Sequence, residues 1–199
     1  MRTFSQTAYA ILLIPILGAC ADTKHVEWTE DVKFSDGTSL VVHRFEDYKR
    51  QVDIGAGFQE GWLFQRAGIS ADIAPAPGRV QWEGSLSPLL FDRTKEGALY
   101  LVCVAVTGAN ANEWEVPRGE FYVQFRFEGG MWKRIPLSEL PVNEQPNLMP
   151  TGYELFIDKG ARSGIHVDDA LRVQAISSLR PTSAYRTIVR PASIRKQAQ

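Results

Sequence analysis

The nine residues Ala98 to Val106, ALYLVCVAV, are uncharged and apolar at nearly every position. A half-wet strand would alternate apolar and polar residues. A short apolar run without alternation predicts a central strand covered on both faces. Further on, Phe121, Val123, Phe125 and Phe127 alternate with Tyr122, Gln124, Arg126 and Glu128, which predicts a strand with one wet face. Gly129-Gly130 then turns the chain into Met131-Trp132-Lys133-Arg134-Ile135, and Phe127 should meet Trp132 across this hairpin. Asp36-Gly37 is a second hairpin signal, between strands near 26–34 and 39–46.

Other segments are less regular. A strand is predicted near Arg79 to Glu83, with Leu89-Leu90-Phe91 continuing it after Pro88, and another near Tyr153 to Ile157. Residues 47–78 hold Gly55, Gly57, Gly61, Gly68, Pro75, Pro77 and Gly78 and read as loop, with a short strand piece near Trp62-Leu63-Phe64. Prolines 136, 141, 146 and 150 make 136–150 a loop. One helix is predicted from Asp168 to Leu179: two acids open it, Leu171, Ala175 and Leu179 share a face, and Pro181 follows. The 199 residues suit one domain. The predicted fold is mainly β, antiparallel, a β-sandwich over 26–179 with one C-terminal helix at about 168–179. The tail 180–199 carries Arg180, Arg186, Arg190, Arg195 and Lys196 and no acid, and reads as a solvated end, with anionic lipid or glycan as the alternative surface for it.

The N-terminus is of another kind. Arg2 is the only charge before Asp22, and the apolar stretch Ala8 to Leu17 is broken by Pro15. That is shorter than the roughly 20 apolar residues a spanning helix needs. A basic start, a short apolar run and small residues mark a secretory signal. On these features alone a plain signal peptide and an uncleaved anchor stay open.

Leu17-Gly18-Ala19-Cys20 resembles the lipobox of bacterial lipoproteins at all four positions. The resemblance implies cleavage between Ala19 and Cys20, removal of residues 1–19, a diacylglyceryl thioether on Cys20 and acylation of the new amine. One acyl chain anchors marginally, whereas two or more hold stably, at roughly 0.8 kcal/mol per buried CH₂. Ala21, in place of an aspartate, resembles the pattern for delivery to the outer membrane, inner leaflet, facing the periplasm. Residues 20–25 would form the lipidated start and a short linker. Within the body, Val80-Gln81-Trp82-Glu83-Gly84 with Ser87-Pro88-Leu89, Leu99-Tyr100-Leu101-Val102, Trp132-Lys133-Arg134-Ile135-Pro136-Leu137 and Asn147-Leu148 resemble an uncharacterised group of exported proteobacterial lipoproteins. That resemblance implies no activity.

With Cys20 lipidated, Cys103 is the only thiol left, and its apolar run makes it a small buried hydrophobe rather than a nucleophile. No catalytic, metal or cofactor motif is present. His25, His43 and His166 are far apart in sequence and lie in no H-x-x-x-H or C-x-x-C pattern. His166 stands before Asp168-Asp169, which are ordinary partners of a helix N-terminus. Gly55-Ala56-Gly57-Phe58-Gln59-Glu60-Gly61 misses dinucleotide-loop spacing by one place, and no G-x-S-x-G elbow exists. The acid pairs Glu30-Asp31 and Glu46-Asp47 point to opposite faces of a strand, so neither pair can form a two-carboxylate site by itself. Of Trp28, Trp62, Trp82, Trp114 and Trp132, Trp114 is the expected exposed aromatic, a candidate stacking surface for sugar. The net charge of −1 offers nucleic acid no attractive field.

Two functions fit. One is a lipid-anchored, non-enzymatic envelope module that binds a partner protein or a glycan. The other is a periplasmic hydrolase whose site no local motif reveals. A concave pocket lined by His43 or His166 and holding a carboxylate or histidine of shifted pKa would exclude the first.

Overall fold

The computed structural model describes residues 22–53, 59–73, 78–136, 139, 145–178 and 188. It is a two-sheet β-sandwich. The first sheet holds β1 (Thr23–Lys33), β2 (Ser39–Asp53), β3 (Gln59–Asp72), β4 (Arg79–Gly84) and a short β9 (Ile165–Val167), in the order β4-β3-β2-β1-β9. The second holds β5 (Ser87–Arg93), β6 (Leu99–Val104), β7 (Tyr122–Glu128) and β8 (Met131–Ile135), in that order. All pairings are antiparallel except β9 beside β1.

The main core lies between the sheets. Val32, Val42, Ile69, Val80 and Trp82 of the first meet Phe91, Leu101, Cys103, Val123 and Phe125 of the second. Cys103 is fully buried, as its apolar run predicted. The stretch from Arg79 to Arg93 is two strands rather than one. The chain leaves the first sheet at Gly84 and enters the second at Ser87, with Leu86 buried at the corner. Pro88 sits on an edge strand beside a register shift, where a missing N–H is tolerated.

β6 lies between β5 and β7 and is buried at all six positions. Its second face forms a separate cluster: Leu90, Tyr100, Val102, Val104 and Tyr122 pack with Ile188. Ile188 is only 6% exposed, which corrects the reading of 180–199 as a solvated end at that position. The alternation expected in β7 is also corrected, and Tyr122 belongs to this cluster. Tyr122 and Gln124, predicted to be wet, are buried, and Phe121 is 51% exposed. Phe127 and Trp132 meet as predicted, with ring centroids 5.2 Å apart.

Three further departures are local. The segment 47–78 is mostly ladder, because β2 runs to Asp53 and β3 fills Gln59–Asp72. Of the glycines that suggested loop, Gly61 and Gly68 lie within β3, and at Gly68 the missing side chain serves packing; Gly55 and Gly57 lie outside the described residues. Tyr153–Asp158 is a π-helix rather than a strand. A short helix, α1 (Gly108–Glu113), is capped by Thr107, whose hydroxyl accepts from the Asn110 N–H. The C-terminal helix α2 covers Asp169–Ser178, and its Leu171 and Ala175 pack under the first sheet with Trp28, Met149 and Phe156. Leu179 lies outside the described residues.

Candidate functional site

Strand alternation sorts the first sheet into two unlike faces. The inner face holds the core and a buried ionic cluster. The outer face is polar and open.

On the inner face, β1 contributes Trp28 and Glu30, and β2 contributes Arg44, Glu46 and Tyr48. Arg44 Nη1 donates to Glu30 Oε2 at 3.2 Å and to the Met149 carbonyl at 2.6 Å, and Nη2 donates to the Pro88 carbonyl at 3.1 Å. Its guanidinium lies 4.9 Å from the Trp28 ring centre and 3.9 Å from Glu46 Oε1. Glu46 accepts from Tyr48, from the Gly152 N–H at 2.8 Å and from Ser87 at 3.4 Å. Glu30 accepts from the Met149 N–H and from Trp28 Nε1 at 3.3 Å. Arg172 of α2 stands 3.9 Å from Glu30 and donates to the Asp31 carbonyl at 2.5 Å.

Burial pushes the carboxyls of Glu30 and Glu46 above the ordinary glutamate value, against the downward pull of Arg44. Both are 0% exposed, so no solvent-borne substrate reaches them. Their partners show what they hold. Residues 149–152 thread between the sheets, and the cluster satisfies their backbone groups in turn. Asn147 extends the same seam. Its side chain accepts from the Phe91 N–H at 2.9 Å and donates to the Phe91 carbonyl at 2.8 Å. This is a structural clamp.

On the outer face, register sets Gln81, Ser70, His43, Thr29 and His166 in one line across five strands. His25 lies on the same face, so the fold brings three sequence-distant histidines to one surface without gathering them at one point. His166 Nδ1 is 2.9 Å from Thr29 Oγ1, and its Nε2 is 3.2 Å from Asp31. His25 Nδ1 is 2.6 Å from Asp47, which also accepts from Arg66 Nε at 2.6 Å, and Arg66 reaches Glu83 on β4.

Beside this ladder lies an open groove of about 250 Å³, lined by His25, Glu27, His43, Phe45, Arg79 and Gln81. Gly68 shapes it. A Cβ there would stand 2.1 Å from Phe45 Cε1, so only glycine lets that ring lie against β3. The groups pushed up by burial, Glu30 and Glu46, belong to the other face of the same strands. No group of three or more His, Cys, Asp or Glu among the described residues could hold a metal ion.

Trp114 is not the exposed aromatic it was expected to be. It is half-buried at the end of α1, edge-on to Phe125 at 5.4 Å, and its Nε1 donates to Ser85 Oγ at 2.8 Å. Ala19 and Cys20 lie outside the described residues. No described helix is long and apolar enough to cross a membrane. No family model, curated protein or solved structure matches the chain.

Proposed function

We propose that the chain is a lipid-anchored cell-envelope protein, tethered through Cys20 to the periplasmic side of the outer membrane, and that it binds a partner protein or a glycan without catalysing a reaction. The observation that carries the binding half is the outer face of the first sheet. It is open, five strands wide and rich in polar side chains, and Glu30 and Glu46, the carboxyls raised by burial, face away from its groove. The anchoring half rests on Leu17-Gly18-Ala19-Cys20 and on a first strand that starts at Thr23. That start leaves only Ala21 and Asp22 as linker, rather than the stretch to His25 predicted from sequence.

Affinity capture of the native protein from membranes tests the reading, with Cys20→Ala and a groove variant, His43→Ala with Gln81→Ala, as controls. A partner or glycan lost from the groove variant supports it. Capture unchanged by the groove variant refutes the assignment to this face. Labelled palmitate absent from wild type refutes the anchor.

A further inference from the structure

Several charges on the outer face of the first sheet are matched. Arg66 bridges Asp47 and Glu83, His25 also reaches Asp47, and His166 reaches Asp31. Arg79 is not matched. It is the only exposed arginine or lysine among the described residues that line the groove. It stands level with Asp72, yet its side chain crosses toward the next pair and donates through Nη2 to Ser70 Oγ at 2.6 Å. Among the described residues the guanidinium makes no ion pair and no other hydrogen bond. Ser70 accepts that bond and keeps its own O–H to give. His43 and Gln81 flank Ser70 in register, and neither side chain has a hydrogen-bond partner among the described residues. A guanidinium, a hydroxyl, an amide and an imidazole side by side make a donor set for a carboxylate, which arginine binds through two parallel N–H groups.

We propose that the groove is a subsite for a carboxylate-bearing sugar of a glycan, with the carboxylate on Arg79 and Ser70 and the sugar ring beside Phe45. The inference rests on the reading of this face as the binding surface, and it narrows the ligand from a protein or a glycan to an acidic glycan.

Three observations favour a sugar. The groove's volume of about 250 Å³ lies below the roughly 300–1,000 Å³ of pockets for larger ligands, so it takes a small unit. The half-buried Phe45 ring lies against β3 at Gly68 and gives an apolar wall among polar groups, which matches the C–H face and hydroxyl rim of a sugar. A peptide strand, by contrast, adds at a sheet edge through its backbone. The edge beside the groove is β4, where the Gln81 carbonyl already accepts from Trp132 Nε1 at 2.9 Å. Two acids limit the charge of the ligand. Glu27 lines the groove and Asp72 stands level with Arg79, so an unbroken polyanion is repelled and one acidic sugar among neutral ones is not.

The test is frontal affinity chromatography on the full-length protein held in immobilised lipid nanodiscs. The probes are two disaccharides, N-acetylglucosamine–glucuronic acid and N-acetylglucosamine–N-acetylmuramic acid, each with its carboxyl methyl ester, and a tetrapeptide with a free C-terminus. At least one acid should be retained, and its affinity should fall about tenfold or more on esterification, as the loss of a hydrogen-bonded charge requires. Arg79→Gln should lose as much for the acid and nothing for the ester, with an unchanged melt; Arg79→Lys should keep part of the affinity. Lys33→Gln, on the same face outside the groove, should change nothing. Acids retained no better than their esters, or Arg79→Gln equal to wild type, overturns the carboxylate subsite. A tetrapeptide retained as well as the sugars overturns the choice of a glycan. Capture from membranes that is lost with His43→Ala and Gln81→Ala but kept with Arg79→Gln overturns the carboxylate subsite and leaves the binding face standing. Capture kept in both variants overturns the face and this inference together.

Discussion

Arg44→Ala is the perturbation that most sharply examines the buried cluster. The substitution removes the one cation that touches both Glu30 and Glu46, and it strips the Met149 and Pro88 carbonyls of their donor. Removing one partner of a buried ion pair costs about 3–5 kcal/mol, because the other charge is left uncompensated. For a domain of this size that corresponds to a fall in Tm of roughly 6–20 °C, at about 2–4 °C per kcal/mol. The loss depends on pH with a definite sign. Burial already raises both glutamates, so the folded state holds their protons more tightly than the unfolded chain does. Their contribution to stability is therefore full below the unfolded glutamate value and declines as pH rises toward the raised folded one. Without Arg44 both carboxyls move higher still, so the variant's deficit is larger at pH 8 than at pH 5. Each tenfold tightening of proton binding adds about 1.4 kcal/mol to that difference. Urea unfolding followed by tryptophan fluorescence at the two pH values measures it. A triple variant, Arg44→Met with Glu30→Gln and Glu46→Gln, should recover part of the loss by removing the stranded charges. An Arg44→Ala deficit under about 1 kcal/mol, or one equal at both pH values, would refute the clamp.

Three other outcomes follow from packing. Gly68→Ala should cost about 1–3 kcal/mol by overpacking Phe45, and Phe45→Ala in that background should recover part of the cost. Additive losses in chemical denaturation would show that the two do not interact. Cys103, whose thiol burial raises well above the ordinary value, should resist aromatic disulfide reagents in the native protein and react only as the chain unfolds; fast native-state labelling contradicts this. Ile188→Asp should destabilise by about 2–4 kcal/mol and increase binding of a hydrophobic dye, since it uncovers Tyr100, Val102 and Tyr122; an unchanged melt and dye signal would show that Ile188 does not seal this face.

The sandwich itself was legible because its strongest signals are local. Apolar content without alternation marked β6 as covered twice, and Asp36-Gly37 and Gly129-Gly130 placed two hairpins where they occur. Strand extent was not legible where glycine carried two meanings. Gly68 lies mid-strand because Phe45 needs its space, and that reason exists only once β2 and β3 are paired. The π-helix at Tyr153–Asp158 was hidden for a similar reason. Its Phe156 and Tyr153 are apolar in a short run, as a strand's would be, but they pack on Trp28 and Tyr48 from the first sheet. The three histidines were read as unrelated because nothing in their spacing encodes the pairing of β1 with β2 and β9.

The buried cluster was half legible, and the missing half is instructive. Along β1 the inward positions are Val26, Trp28, Glu30 and Val32; along β2 they are Val42, Arg44, Glu46 and Tyr48. A strand cannot turn Glu30 outward without turning Trp28 and Val32 outward with it. Period-two phase therefore commits three charges to the interior, and only Asp31 and Asp47 of the two acid pairs to the surface. Buried charges must then find partners. Arg44, with Arg172 3.9 Å from Glu30, balances the two glutamates in charge but leaves acceptors and donors over. The groups that complete the set are the backbone of Met149, Pro150 and Gly152, more than a hundred residues further along the chain. Reading 136–150 simply as a loop, with no partner foreseen for its last residues, and leaving Glu30 and Glu46 without a role were thus one omission. Residues 149–152 lie inside the sandwich, where their backbone groups complete the partners that the charges on β1 and β2 need to stay buried.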